Sequence, residues 1–153
     1  MAHAFGTLDE LGDGFGFRKV RKTLGVTAFG VNAVVYPPGY EGFQHYHDTQ
    51  DELYFVHSGT AKVEVGGEER ILGPGGLFHC ESTTPRRIVN VGEGDLVMLV
   101  VGGKGGYVGR DGHVMSEEDL KVRQGLSGVG STEPHRSGGA GSAGTGAAVK
   151  EGS

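Results

Sequence analysis

Between residues 17 and 101 the chain runs in short apolar stretches, cut at close intervals by glycine and proline. Residues 27–36 are rich in strand formers and stop at Pro37-Pro38-Gly39, which cannot continue a ladder. A second run, 53–56, ends at Ser58-Gly59. Residues 60–65 alternate, with Ala61, Val63 and Val65 on one face and Thr60, Lys62 and Glu64 on the other. Gly66-Gly67 reads as a two-residue hairpin turn into 68–72. After a Gly-Pro-Gly-Gly turn come strands at 77–81, 86–91 and 95–101, the last two separated by Gly92-Glu93-Gly94. Many short strands with no strong helix between them predict an all-β sandwich or barrel.

The flanks behave differently. Residues 1–17 are rich in glycine and phenylalanine without a clear period, and read as an irregular arm packing Phe15 or Phe17 on the barrel or on a second subunit. Ser116-Glu117-Glu118-Asp119 has the Ser-x-x-acid pattern of a capping box, so one short helix is expected at 117–124. From 125 to 153, 14 of 29 residues are Gly or Ser with few apolar side chains, too little buried surface to offset the entropy of ordering. The division expected is an arm at 1–17, a barrel domain at 18–124 and a disordered tail at 125–153.

Composition narrows the function classes. The 153 residues suffice for one ordinary domain plus tails. A formal charge of −5 argues against a general nucleic-acid binder. No apolar run approaches the ~20 residues a bilayer requires, and the first residues lack the charged-then-apolar order of a signal peptide. The single cysteine, Cys80, has no internal disulfide partner. Together these lead to the expectation of a cytoplasmic protein without membrane or nucleic-acid partners. No Gly-x-Ser-x-Gly elbow and no phosphate-cradling glycine loop with its lysine are present.

The chemistry concentrates in residues 39–59. Residues two apart on a strand share a face, so His45 and His47 project together if this piece is extended. The polar turn 48–51 returns the chain, and Glu52 opens the next strand towards the same space. Two imidazoles and a carboxylate on one wall are the facial triad that suits Fe(II), and related sets suit Mn, Ni or Zn. The spacing is Gly, five residues, His-x-His, four residues, Glu, six residues, Gly. It resembles the first motif of the cupin family at every defined position: Gly39, His45, His47, Glu52 and Gly59. The resemblance covers roughly residues 29–101. It implies a cupin-type double-stranded β-helix, or jelly roll, with a short C-terminal helix, a homodimer formed by strand exchange or N-terminal arms, and a divalent metal held by three His and one Glu.

The second cupin motif departs from the pattern. Aligned on Asn90 and Gly75, the third metal histidine becomes Arg86. A guanidinium stays protonated and cannot ligate a metal. Turned inward it opposes a dication or pairs with Glu52; turned outward it leaves three ligands and open positions. His79 and Glu81, two apart, are candidates for a substitute ligand. Tyr54 shares the parity of Glu52, and Phe43 that of His45, so with Arg86 they are the candidate ligand-binding residues. His57, at an odd offset from Glu52, should face away, and Cys80 reads as a small packed residue. Lys104, Arg110 and Asp111 lie in a Gly-rich loop able to cover a barrel mouth, solvated charges being the ordinary reading. Two functional readings stay open. One is a metal-dependent dioxygenase, isomerase or lyase acting on a small oxygenated metabolite. The other is a metal-free small-molecule binding or sensing cupin in which Arg86 pairs with Glu52 or with an anionic ligand.

Overall fold

The computed structural model describes residues 2–128. Two five-stranded sheets, all antiparallel, face each other across one core. The first has the order β1 (Gly16–Arg18), β2 (Gly30–Tyr36), β9 (Leu96–Gly103), β4 (Asp51–Ser58) and β7 (Leu77–Cys80). The second has β10 (Gly112–Val114), β3 (His45–His47), β8 (Arg86–Asn90), β5 (Ala61–Val65) and β6 (Glu68–Leu72). This is the jelly-roll arrangement that the cupin resemblance implies, within the all-β sandwich or barrel that the spacing of short strands predicts. A five-residue helix, α1 (Val20–Leu24), packs on β2, and α2 (Glu117–Gly128) packs on β1 and β10. No helix among the described residues is long and apolar enough to cross a membrane.

Side-chain parity decides what enters the core. On β4, Glu52, Tyr54 and Val56 are buried, while Leu53, Phe55 and His57 are exposed. β2 is buried along its whole length, because its inner face meets the barrel and it also carries α1. The β5–β6 hairpin turns on Gly66 and Gly67, at φ +59° and +78°, the pair of positive values a tight two-residue turn requires. Gly59 is held more strictly still. It sits at φ +90°, and an added Cβ would fall 2.5 Å from the Asp95 carbonyl oxygen.

The elements flanking the run of alternating strands escape the apolar pattern. Residues 8–11 form a 3-10 turn with a full Thr7/Glu10 capping box, and β1 begins at Gly16, so the arm is more ordered than its composition suggests. β10 is three residues long, too short to carry a period. Helix α2 begins where expected, with the Asp119 N–H donating to Ser116 Oγ at 3.0 Å. The Asp119 carboxylate does not complete the box. It accepts from the Gln44 N–H at 3.0 Å and pairs with Arg87 at 3.2 Å, tying the helix to the barrel. The expected disordered tail falls, from residue 129 on, outside the described residues.

Candidate functional site

β3 positions the two histidines as its parity demands. His45 and His47 are buried, and Tyr46 turns outward onto His113. Glu52, first of the buried residues of β4, reaches the same space. His47 Nε2 lies 3.3 Å and His45 Nε2 3.9 Å from Glu52 Oε1. The three candidate ligand atoms lie within 4.8 Å of one another, and among the described residues this is the group that could hold a metal ion.

Arg86 points inward and is wholly buried. Antiparallel pairing sets it beside His45 on β3, so the face that carries the histidines also carries the arginine. Its Nη2 donates to Glu52 Oε1 at 2.9 Å and its Nε to Tyr54 Oη at 3.3 Å. Nη1 donates to the carbonyls of Ser82 (3.1 Å) and Thr84 (2.8 Å) in the turn just before it. Tyr54 in turn donates its hydroxyl to the same Glu52 oxygen at 2.5 Å. The Ser-Thr-Thr-Pro tract that replaces the usual second motif thus folds its carbonyls onto the guanidinium. Burial works against charge on both partners. At Glu52 it is outweighed by the neighbouring His47, His45 and Arg86, which hold the carboxyl well below its usual range. At Arg86, Tyr54 and Glu52 more than restore what burial removes.

A residue that sequence reasoning set aside completes the cluster. Asp111, just before β10, pairs with His47 Nδ1 at 2.8 Å and accepts from the N–H groups of Thr49 (2.7 Å) and Gln50 (3.0 Å) and the amide of Gln50 (2.7 Å). Its carboxyl sits at about 2, because those hydrogen bonds outweigh the upward push of burial. A carboxylate on Nδ1 fixes the imidazole's orientation and leaves Nε2 facing Glu52. Asp111 lies 64 positions from His47, and no local spacing signals the contact.

His79 and Glu81 are the correction. Cys80, not His79, stands opposite Glu52 in the β4–β7 ladder, and residues opposite each other share a face. His79 and Glu81 are accordingly exposed, on the far side of the sheet from the candidate ligands. Cys80 is buried as expected, its thiol pushed up by that burial. Arg87 faces out, paired with Glu64 and Asp119, as the inward turn of Arg86 requires.

Beside the cluster is a cavity of about 20 Å³, room for roughly one water. Phe17, Tyr36, Phe43, His45, Tyr54 and Ile88 are among the residues lining it. Phe43 and Tyr54 therefore take the wall positions their parity predicts. Arg123 of α2, buried, lies over the rings of Phe17 (5.0 Å) and Phe43 (6.0 Å) and covers this end of the barrel.

Comparison with known proteins agrees with this geometry. The family model of the Cupin domain matches residues 32–102. A cupin protein from Bacteroides fragilis is similar over 69% of this chain and 87% of its own, at 20% identity and a TM-score of 0.58. A double-stranded β-helix protein from Klebsiella pneumoniae is similar over 74% and 97%, at 17% identity and a TM-score of 0.59. A sugar phosphate isomerase of the cupin superfamily from Silicibacter pomeroyi is similar over 66% of each chain, at 28% identity and a TM-score of 0.55. No curated protein matches the chain in sequence. With the His-x-His and Glu in register on two facing sheets and the domain model spanning the strands that carry them, the chain belongs to the cupin superfamily.

Proposed function

We propose that this chain is a small-molecule-binding cupin in which the Glu52–Arg86 pair takes the charge-balancing place that a metal has in relatives. The observation that supports it is the wholly buried guanidinium donating to Glu52 Oε1, the oxygen that both imidazoles face. The donor set of His45, His47 and Glu52 suits a transition metal in kind. The arginine opposes one in charge. At ~5 Å and an effective dielectric of ~20, two unit charges repel by about 3 kcal/mol, and a dication doubles this. The ligand would sit against Phe43, Tyr54 and His45, its entry widening a cavity that now has room for about one water. The protein is read as cytoplasmic.

A specific observation favours a second reading. Asp111 orients His47 as a carboxylate orients a metal-bound histidine. Here His45, His47 and Glu52 would hold Fe, Mn, Ni or Zn, which would polarise a small oxygenated metabolite for a dioxygenase, isomerase or lyase reaction. The likeness to a sugar phosphate isomerase at 28% identity supports this reading. Metal analysis of protein purified without chelator separates the two. On the first, wild type carries below about a tenth of an equivalent of any transition metal, and Arg86→His gains affinity by about tenfold or more. Stoichiometric metal in wild type overturns it.

We also propose a homodimer, with the exposed apolar side of the first sheet as its interface. Leu53 (41% exposed), Phe55 (37%) and Leu77 (62%) share this side, and Leu77 lies on an edge strand. Light scattering should give twice the chain mass, falling to one chain in Leu77→Lys with Phe55→Lys.

A further inference from the structure

The guanidinium of Arg86 leans on two carbonyls, and both belong to a turn that must itself be held in place. Ser82 O accepts from Arg86 Nη1 at 3.1 Å and from the backbone N–H of His47 at 2.8 Å, which occupies both its lone pairs. Thr84 O accepts from the same Nη1 at 2.8 Å. Within the turn, the Thr84 N–H donates to Glu81 O at 3.2 Å, and Pro85 fixes the backbone just before Arg86. The β4–β7 ladder stops where Glu52 stands opposite Cys80, so the Ser82 N–H lies beyond its reach. Asp51 takes up that donor. Its Oδ1 accepts from the Ser82 N–H at 2.9 Å, and its Oδ2 accepts from Lys104 Nζ at 3.0 Å. Asp51 is next to Glu52 on β4, so its side chain leaves from the opposite face of the strand, outside the pocket.

We infer that Asp51 is a positioning residue: through the Ser82 N–H it holds the 81–85 turn so that the turn's carbonyls keep Arg86 on Glu52, and it thereby sets how closed the His45, His47 and Glu52 group is to a metal. This rests on the reading of the Glu52–Arg86 pair given above. A metal ion on Glu52 has to turn the guanidinium away, and turning it away gives up the carbonyls of Ser82 and Thr84 together. A carboxylate bonded to a backbone N–H is a charge-assisted contact, about twice as strong as a neutral one, so its loss loosens the turn and makes that exchange less costly. The direction of the effect is diagnostic. Acting by charge alone, removal of an acid beside a cation site lowers cation affinity. Acting through the turn, the same removal raises it.

The test uses the full chain with the zinc ion as probe, its affinity read by competition with a chromophoric chelator and Arg86 followed by the NMR signal of its Nε–H. Asp51→Ala should bind zinc about tenfold more tightly than wild type, and its Arg86 Nε–H should exchange with solvent faster before any metal is added. Asp51→Asn keeps an oxygen for the Ser82 N–H and loses the charge, so it should stay within about threefold of wild type and keep the Arg86 Nε–H protected. In wild type, independently of any variant, excess zinc should move the Arg86 Nε–H and Ser82 amide signals together. An Asp51→Ala affinity at or below that of wild type overturns the inference, as does a Ser82 amide that stays in place while Arg86 moves. Both results leave the Glu52–Arg86 reading standing. Tight, stoichiometric zinc in wild type with the Arg86 signal unmoved overturns that reading, and the positioning role with it.

Discussion

The two stretches that build the barrel's polar wall, residues 39–59 and 75–90, have equivalent tasks and different contents. Both keep their backbone devices. Gly59 holds a positive φ against Asp95, and Asn90 donates to the carbonyls of Tyr36, Pro37 and Gly94. The first stretch also carries His45, His47 and Glu52, a group that could hold a metal ion. The second has Arg86 where the cupin motif has a metal histidine, and a turn whose carbonyls accept from it. The difference separates what a jelly roll needs from what its pocket contains. Backbone pins are fixed by geometry that few residues satisfy, whereas a buried charge can be balanced by a cation of another kind, provided every donor finds an acceptor.

That contrast can be broken most severely at its centre. Arg86→Met should cost about 3–5 kcal/mol in denaturant unfolding, because it leaves Glu52 buried without the guanidinium that donates to it. Glu52→Leu combined with Arg86→Met should recover much of the loss, since the partner charge is then gone as well. A double variant as unstable as the sum of its parts would mean that the pair is not coupled.

Next in size is the strap that orients His47. Asp111→Ala frees three backbone and side-chain donors and the imidazole, and should cost about 1–3 kcal/mol. The same carboxyl sharpens the pH response. Asp111 at about 2 and the lowered Glu52 both sit below their unfolded values, so their stabilisation is full above about pH 5. It is lost as pH falls towards 2. Stability of the wild type should fall across this window, and Asp111→Asn should flatten the fall. An acid limb of unchanged slope in the variant would remove Asp111 from the account.

Gly59→Ala tests the backbone half of the comparison. The positive φ and the close Asp95 carbonyl should make it cost about 1–3 kcal/mol, with ligand and metal behaviour unchanged in whatever fraction folds. The smallest effect belongs to a histidine of the wrong parity. His79→Ala should move single-chain stability by less than about 0.5 kcal/mol and leave metal content untouched, because the side chain lies on the outer side of the sheet, away from His45, His47 and Glu52. Loss of bound metal in this variant would restore the ligand role that its exposure denies.

Strand parity carries much of this molecule into view from the chain alone. Period-2 alternation and glycine turns set out β4 to β9, and two-residue spacing aimed His45 with His47 and Glu52 with Tyr54, since a pleated strand offers only two faces. Parity misleads at His79 and Glu81: their two-residue spacing puts them on one face, but Cys80 is the residue that stands opposite Glu52. Three matters needed the tertiary structure. The inward turn of Arg86 depends on its pairing with β3 and on carbonyls from the preceding turn. The partnership of Asp111 with His47 joins residues 64 positions apart through a strand too short to show a period. The seat of Arg123 over Phe17 and Phe43 brings together α2, β1 and the stretch before β3. Local pattern reports which face a side chain takes. Which charge meets it there is settled by contacts distant in sequence, because burial makes each ion depend on a partner that only the closed barrel delivers.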